Sequence, residues 1–173
     1  MTGSSTTPTR RSTPALAVNN AGVGDHRPPD LFGDVCSFLE KFGQDYAGPP
    51  RDLDYDLQSF RLKHMHEELH EYEAWTFPDA LGFGDDMRHK IDMALVNARS
   101  TDEAFAIRRA EQLDALVDLV YVTLQTARKH GFDFNEAWRR VHAANMRKEA
   151  HPDGKGGIRK PPGWVAPDHS DLV

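Results

Sequence analysis

Cysteine is almost absent from this 173-residue sequence. Cys36 stands alone, which excludes a disulfide framework or a cysteine-based zinc centre within one chain and suits a reducing compartment. Long hydrophobic runs are missing too, since no stretch approaches the ~20 apolar residues of a membrane span. Positive charge is in deficit. Lys and Arg number 21 against 27 Asp and Glu, for a net charge of -6 and a pI near 5.8. A nucleic-acid-binding domain would carry a basic field, so neither nucleic acid nor membrane is an expected partner. Arg10-Arg11 precedes a short apolar stretch, but Pro14 interrupts it and it is too short for an export signal. A cytoplasmic location is expected. There is no convincing strand run, no internal repeat and no glycine-rich phosphate loop.

What is present is acid at helical spacing. Glu67-Glu68-x-x-Glu71 and Glu111-x-x-Asp114-x-x-x-Asp118 each repeat at intervals of three, four or seven, so each cluster projects from one helix face. Like charges so spaced cost a helix roughly 0.2–0.5 kcal/mol per pair. Hard divalent cations held by carboxylate oxygens would compensate, and Mg²⁺ favours a few carboxylates plus substrate phosphates. A solvated acidic face is the plainer alternative. Against it, Leu113, Leu116, Val117, Val120, Tyr121 and Leu124 form an apolar stripe around the second cluster, which predicts that these carboxylates border a core.

Three segments are expected. Residues 1–30 are rich in Ser, Thr, Pro, Gly and Asn, and too poor in apolar side chains to offset their ordering entropy, which predicts disorder. Residues 31–150 read as a bundle of four or five helices. These are about Leu31 to Phe42, Leu53 to Trp75, Asp86 to Ala98, a helix opened by a Ser100-x-x-Glu103 capping box and closed at His130-Gly131, and Asp133 to Glu149. Residues 151–173 form a basic tail rich in glycine and proline. In such an all-α bundle, carboxylates on neighbouring helices can build a metal site.

His66-Glu67-Glu68-Leu69-His70 also spells H-E-x-x-H, the spacing of a zinc metalloprotease. That reading leaves Glu71, Asp114 and Asp118 without a role and offers no strand to align a peptide. Histidines on a charged helix face are the simpler account.

Glu68-x-x-Glu71 together with Glu111-x-x-Asp114 and Asp118 resembles the E-x-x-E and E-x-x-D pairs of the MazG-like all-α nucleoside triphosphate pyrophosphohydrolases. Further pieces follow in that family's order. Asp114-Ala-Leu-Val-Asp118-Leu-Val-Tyr-Val122 is similar to "DALxDLxYV", and His130-Gly-Phe-Asp133 to an "xGxD" turn. Val141-His-x-x-Asn145-Met-x-Lys148 is similar to "VHxxNMxK". Asp153-Gly-Lys155, Lys160-Pro-Pro-Gly-Trp164 and Pro167-Asp168 are similar to a "DGK…KPPGWxPPD" tail. Together they cover about residues 57 to 168, and the ordered set is far more specific than any one piece. Two departures stand out. The interval from Glu71 to Glu111 is long for the family, marking residues 79–99 as an insertion, and Ala115 stands where many members carry Glu. The second ligand set is Asp114 with Asp118, Glu111 with Asp114, or all three.

The resemblance implies attack of water at the α-phosphorus of a nucleoside triphosphate, giving a monophosphate and pyrophosphate. It implies two or more Mg²⁺ or Mn²⁺ ions, with Glu68, Glu71, Asp114 and Asp118 as ligands and Glu111 beside them. Glu67 is a candidate general base or ligand for another ion. Asn145 and Lys148 match the family's polar pair, suited to sugar or base and to phosphate respectively. Lys155, Arg159 and Lys160 are candidates to close over the triphosphate, while Trp164 stacks or packs. Arg61, two turns before the Glu pair, is a candidate phosphate contact or a surface ion pair. A homodimer or homotetramer is implied. The similar pieces are those of phage-borne members, in the host cytoplasm, one branch of which hydrolyses dGTP for 2-aminoadenine DNA synthesis. The related phosphoribosyl-ATP pyrophosphohydrolases share the fold, and a non-catalytic helical interaction module is the alternative from another class.

Overall fold

The computed structural model describes residues 29–79, 82–151 and 157–173. Among them lie five helices: α1 (Leu31–Lys41), α2 (Tyr55–Thr76), α3 (Asp85–Val96), α4 (Thr101–His130) and α5 (Phe134–Met146). The expected all-α architecture is observed. The disorder expected of residues 1–30 falls on residues outside those described, apart from 29 and 30, where Asp30 caps α1.

Helix starts follow side-chain chemistry. Asp30, Asp54, Ser100 and Asp133 each accept a hydrogen bond from a backbone N–H in the first turn of α1, α2, α4 and α5, satisfying donors that the helix itself leaves unpaired. The expected box at Ser100 forms in a shifted version. Ser100 Oγ accepts from Glu103 N at 3.1 Å, but Glu103 reaches back to the N–H of Arg99, one residue before the cap, at 2.7 Å. Gly131 closes α4 at φ 76°, a left-handed conformation that suits a residue without Cβ. A Cβ there would also lie 2.8 Å from the Gly48 carbonyl oxygen.

The last helix is shorter than the spacing suggests. It stops at Met146, and the N–H groups of Arg147 and Lys148 fold back to Ala144 and Asn145. Lys148 is therefore beyond the helix rather than on it. Glu149 and Ala150 instead pair with Arg159 and Ile158 in a two-residue antiparallel ladder, β1 (Glu149–Ala150) with β2 (Ile158–Arg159). Residues this few and this exposed carry no alternating apolar pattern, which is why the sequence shows no strand.

Helices α2 and α4 form the central antiparallel pair, with α1 against α4 and α3 against both. Two small cores lie at its ends. Val35, Leu39 and Leu124 make one, joined by Phe32, Tyr121 and Phe134. Ala74, Trp75 and Ile91 make the other, with Phe83, Met87, Leu95 and Ile107 around them. The stripe expected to be buried along α4 is mostly not. Leu113 (63 %), Leu116, Val117 and Val120 are exposed, and only Leu124 of that set is buried. Small Ala115 packs inward instead, at 2 % exposure, because closely paired helices need short side chains at the contact. A glutamate at 115 would meet that packed interface.

Candidate active site

The contacts between α2 and α4 fix which carboxylates face each other. Arg61 donates to Gln125 Oε1 at 2.7 Å near one end. At the other, Gln112 Nε2 donates to the Trp75 carbonyl at 3.3 Å and to Thr76 Oγ1 at 3.2 Å. Arg108 donates to the same Trp75 carbonyl and to the Thr76 carbonyl. Seven residues is two helical turns. Moving seven forward from Arg61 reaches Glu68, and seven back from Gln125 reaches Asp118. The two clusters therefore meet at mid-length on one stretch of the helix pair.

Electrostatics reports the same arrangement. Glu68, half-buried, has its carboxyl pushed up first by desolvation and then by the charges of Asp118, Glu71, Glu67 and Asp114. Asp118 is raised by desolvation, then by Asp114 and Glu71. Negative charge from both helices is thus concentrated here and disfavours ionisation. The donors are all carboxylate oxygens, a set suited in kind to a hard divalent cation. Among the described residues, no three His, Cys, Asp or Glu side chains are already gathered tightly enough to hold an ion.

Glu111 joins the group through a residue that motif reasoning missed. Lys90, on α3, has its Nζ on Glu71 Oε1 and 3.5 Å from Glu111 Oε2, so one ammonium bridges the acidic faces of α2 and α4. Its pKa is raised first by the hydrogen bond to Glu71. No spacing rule connects position 90 with 71 and 111. The one available clue is its neighbour Ile91, whose burial against Ala74 and Trp75 seats α3 beside the site.

Glu67 is half exposed and engaged by Lys63 at 3.4 Å and His64 at 3.9 Å. Among the described residues, the histidines of the H-E-x-x-H pattern belong to no group of three or more potential metal ligands. His66 is exposed, while His70 lies 4.0 Å from Glu73 and packs on Phe83 with ring centroids 5.0 Å apart. Arg61 is not a surface ion pair. It is 5 % exposed, held by Gln125, with Nε buried and unpartnered, and burial lowers its pKa.

The basic candidates form a second group. Asn145, Lys148, Ile158, Arg159 and Lys160 line a cleft of about 440 Å³ that shares no lining residue with α2 or α4. Arg159 pairs with Glu149 at 3.1 Å, and Lys160 Nζ stands 4.4 Å from the centroid of the Trp164 ring. Trp164 is a docking residue, its indole N–H donating to the Ala144 carbonyl at 2.9 Å. Lys155 lies outside the described residues.

A family model described as phosphoribosyl-ATP pyrophosphohydrolase matches residues 35–145. That span contains all the α2 and α4 carboxylates above and Asn145, whereas Lys148, Glu149 and the docked tail fall beyond it. No curated protein matches the chain.

Proposed function

The chain belongs to the phosphoribosyl-ATP pyrophosphohydrolase family, an all-α MazG-like domain, and we propose that it hydrolyses a nucleoside triphosphate to the monophosphate and pyrophosphate in a Mg²⁺- or Mn²⁺-dependent reaction. Family membership supports pyrophosphohydrolase chemistry in general. The observation that carries the reading further is the meeting of Glu68 with Asp118 across α2 and α4, unfavourable unless a cation joins it.

In this reading Glu68, Glu71, Asp114 and Asp118 hold the metal, two or more ions in all, with Glu111 completing the set. When bound, such ions screen phosphate charge and lower the pKa of water. Glu67 accepts the proton of the attacking water, whose oxygen bonds to the α-phosphorus as the bond to the bridging oxygen breaks and pyrophosphate leaves. Asn145 orients sugar or base. Lys148, Lys155 and Lys160, with Arg159, meet the anionic phosphates, supplying positive charge that this acidic chain otherwise has in deficit. Arg61, buried on Gln125, supports the helix pair from within and is assigned no phosphate.

A second copy of the chain is the proposed partner. Leu62, Leu69, Leu113 and Val117 are each 44–63 % exposed on α2 and α4, and apolar surface of this kind supports a homodimer or homotetramer. The ordered pieces similar to phage-borne members, from α4 through the tail, are the support for a deoxynucleotide such as dGTP as substrate, and no residue is assigned to reading guanine. The family match itself favours phosphoribosyl-ATP as the second reading.

Product analysis separates these. Purified protein incubated with Mg²⁺ and each common NTP and dNTP, and with phosphoribosyl-ATP, should release monophosphate and pyrophosphate from a preferred substrate. Diphosphate plus phosphate, or no turnover of any of them, would reject the proposal.

A further inference from the structure

Lys90 is unusual in its setting. It stands on α3, in a stretch separate from both acidic motifs, yet its ammonium occupies oxygens of Glu71 and Glu111 together. Successive helical residues point about 100° apart, so the buried neighbour Ile91 (2 % exposed) anchors α3 in the Trp75 core and leaves Lys90 at its rim. The Nζ lies 5.9 Å from the Trp75 ring centroid, a further constraint on where the charge sits. Its side chain is nonetheless 50 % exposed, so it can swing into solvent without unfolding anything.

An ammonium and a hard divalent ion seek the same carboxylate oxygens. From this geometry we infer that Lys90 is a tethered counter-ion, holding Glu71 and Glu111 together in the metal-free protein and competing with the metal for them. The inference rests on the metal-ligand reading proposed above. Occupation of the site then requires an exchange of cations, which raises the metal concentration needed to fill it. The same pairing stabilises the metal-free helix pair, where the carboxylates would otherwise repel one another.

The test is a titration of the full chain with MnCl₂ alone, followed by calorimetry and by the resonance of free Mn²⁺, with melting measured in chelator. Lys90→Gln should bind Mn²⁺ about threefold to tenfold more tightly than the parent, the range expected when partly exposed ion pairs are removed. It should also melt lower without metal, and Lys90→Ala should behave likewise. Lys90→Arg, which keeps the charge, should stay within about twofold of the parent. Unchanged or weaker Mn²⁺ binding by both neutral variants would overturn the inference while leaving the metal site intact. Absence of any Mn²⁺ binding that Asp118→Asn diminishes would overturn the metal reading itself, and the inference with it.

Discussion

Gln125 accepts a hydrogen bond from the buried Arg61 guanidinium at 2.7 Å, joining α2 and α4 across 64 residues of sequence. That contact lies two turns from Glu68 on one helix and two turns from Asp118 on the other. The register that pairs Arg61 with Gln125 is thus the one that pairs the two carboxylates. Stability and site geometry are coupled through it.

Gln125→Leu should accordingly cost about 2–4 kcal/mol, because it leaves a buried guanidinium without its acceptor. Urea unfolding followed by helical circular dichroism measures this. A loss under about 0.5 kcal/mol would place the variant among ordinary surface changes and show that other contacts hold the register.

Glu71→Gln and Asp118→Asn should each reduce metal-dependent hydrolysis by at least about a hundredfold, as expected for lost metal ligands. Their stabilities should diverge. Asp118→Asn relieves repulsion with Glu68 and should melt no lower than the parent without metal, whereas Glu71→Gln loses its ion pair with Lys90. Metal-induced stabilisation should shrink in both. Wild-type turnover in either variant would reduce the clusters to a charged surface.

The C-terminal tail should remain docked well into acid. Arg140 bonds Asp171 of the tail, with its second nitrogen 2.8 Å from Asp171 Oδ2, and holds that carboxyl at about 2, while Glu136 on α5 itself is held at about 2 first by Arg139 and then by Arg140. Carboxyls whose folded-state pKa is depressed contribute stability that is present above their unfolded values near 4 and lost as pH falls through the folded values. The Trp164 indole N–H resonance reports docking, since that group donates to Ala144. It should keep its docked shift at pH 4 and lose it as pH approaches about 2, whereas Arg140→Ala should release it at pH 7. Release of the parent tail between pH 5 and 4 would show that this cluster does not hold it.

Charge removal at the basic cleft should affect substrate capture more than metal binding. Lys148→Ala combined with Lys160→Ala should raise KM at least about tenfold, since a group that meets phosphate in the ground state lowers KM. Mn²⁺ affinity measured without nucleotide should change less than twofold. Normal kinetics would assign the cleft to tail packing alone.

Gly131→Ala should destabilise by about 1–3 kcal/mol, combining an unfavourable left-handed backbone with a close approach to carbonyl oxygens. A Cβ at this position would stand 2.8 Å from Gly48 O and 2.9 Å from Pro49 O. Thermal melting should register it. An unchanged midpoint would show that the preceding loop moves aside freely.

Local chemistry in the sequence determined most of the helices. Capping residues at Asp30, Asp54, Ser100 and Asp133 and the glycine at 131 mark where helices begin and end, because they answer to hydrogen-bonding groups within a few residues. Helical spacing likewise put Glu68 with Glu71 and Asp114 with Asp118 on single faces. Tertiary structure decided what those faces meet. The facing of Glu68 and Asp118, the burial of Arg61 on Gln125 and the arrival of Lys90 between Glu71 and Glu111 all depend on helix register and on α3 packing through Ile91. The same holds for the exposed stripe from Leu113 to Val120 and for the β1–β2 pairing. Periodicity specifies which side chains share a face. Only packing determines whether that face lies against a neighbour, a cation or solvent, because those contacts join residues tens of positions apart.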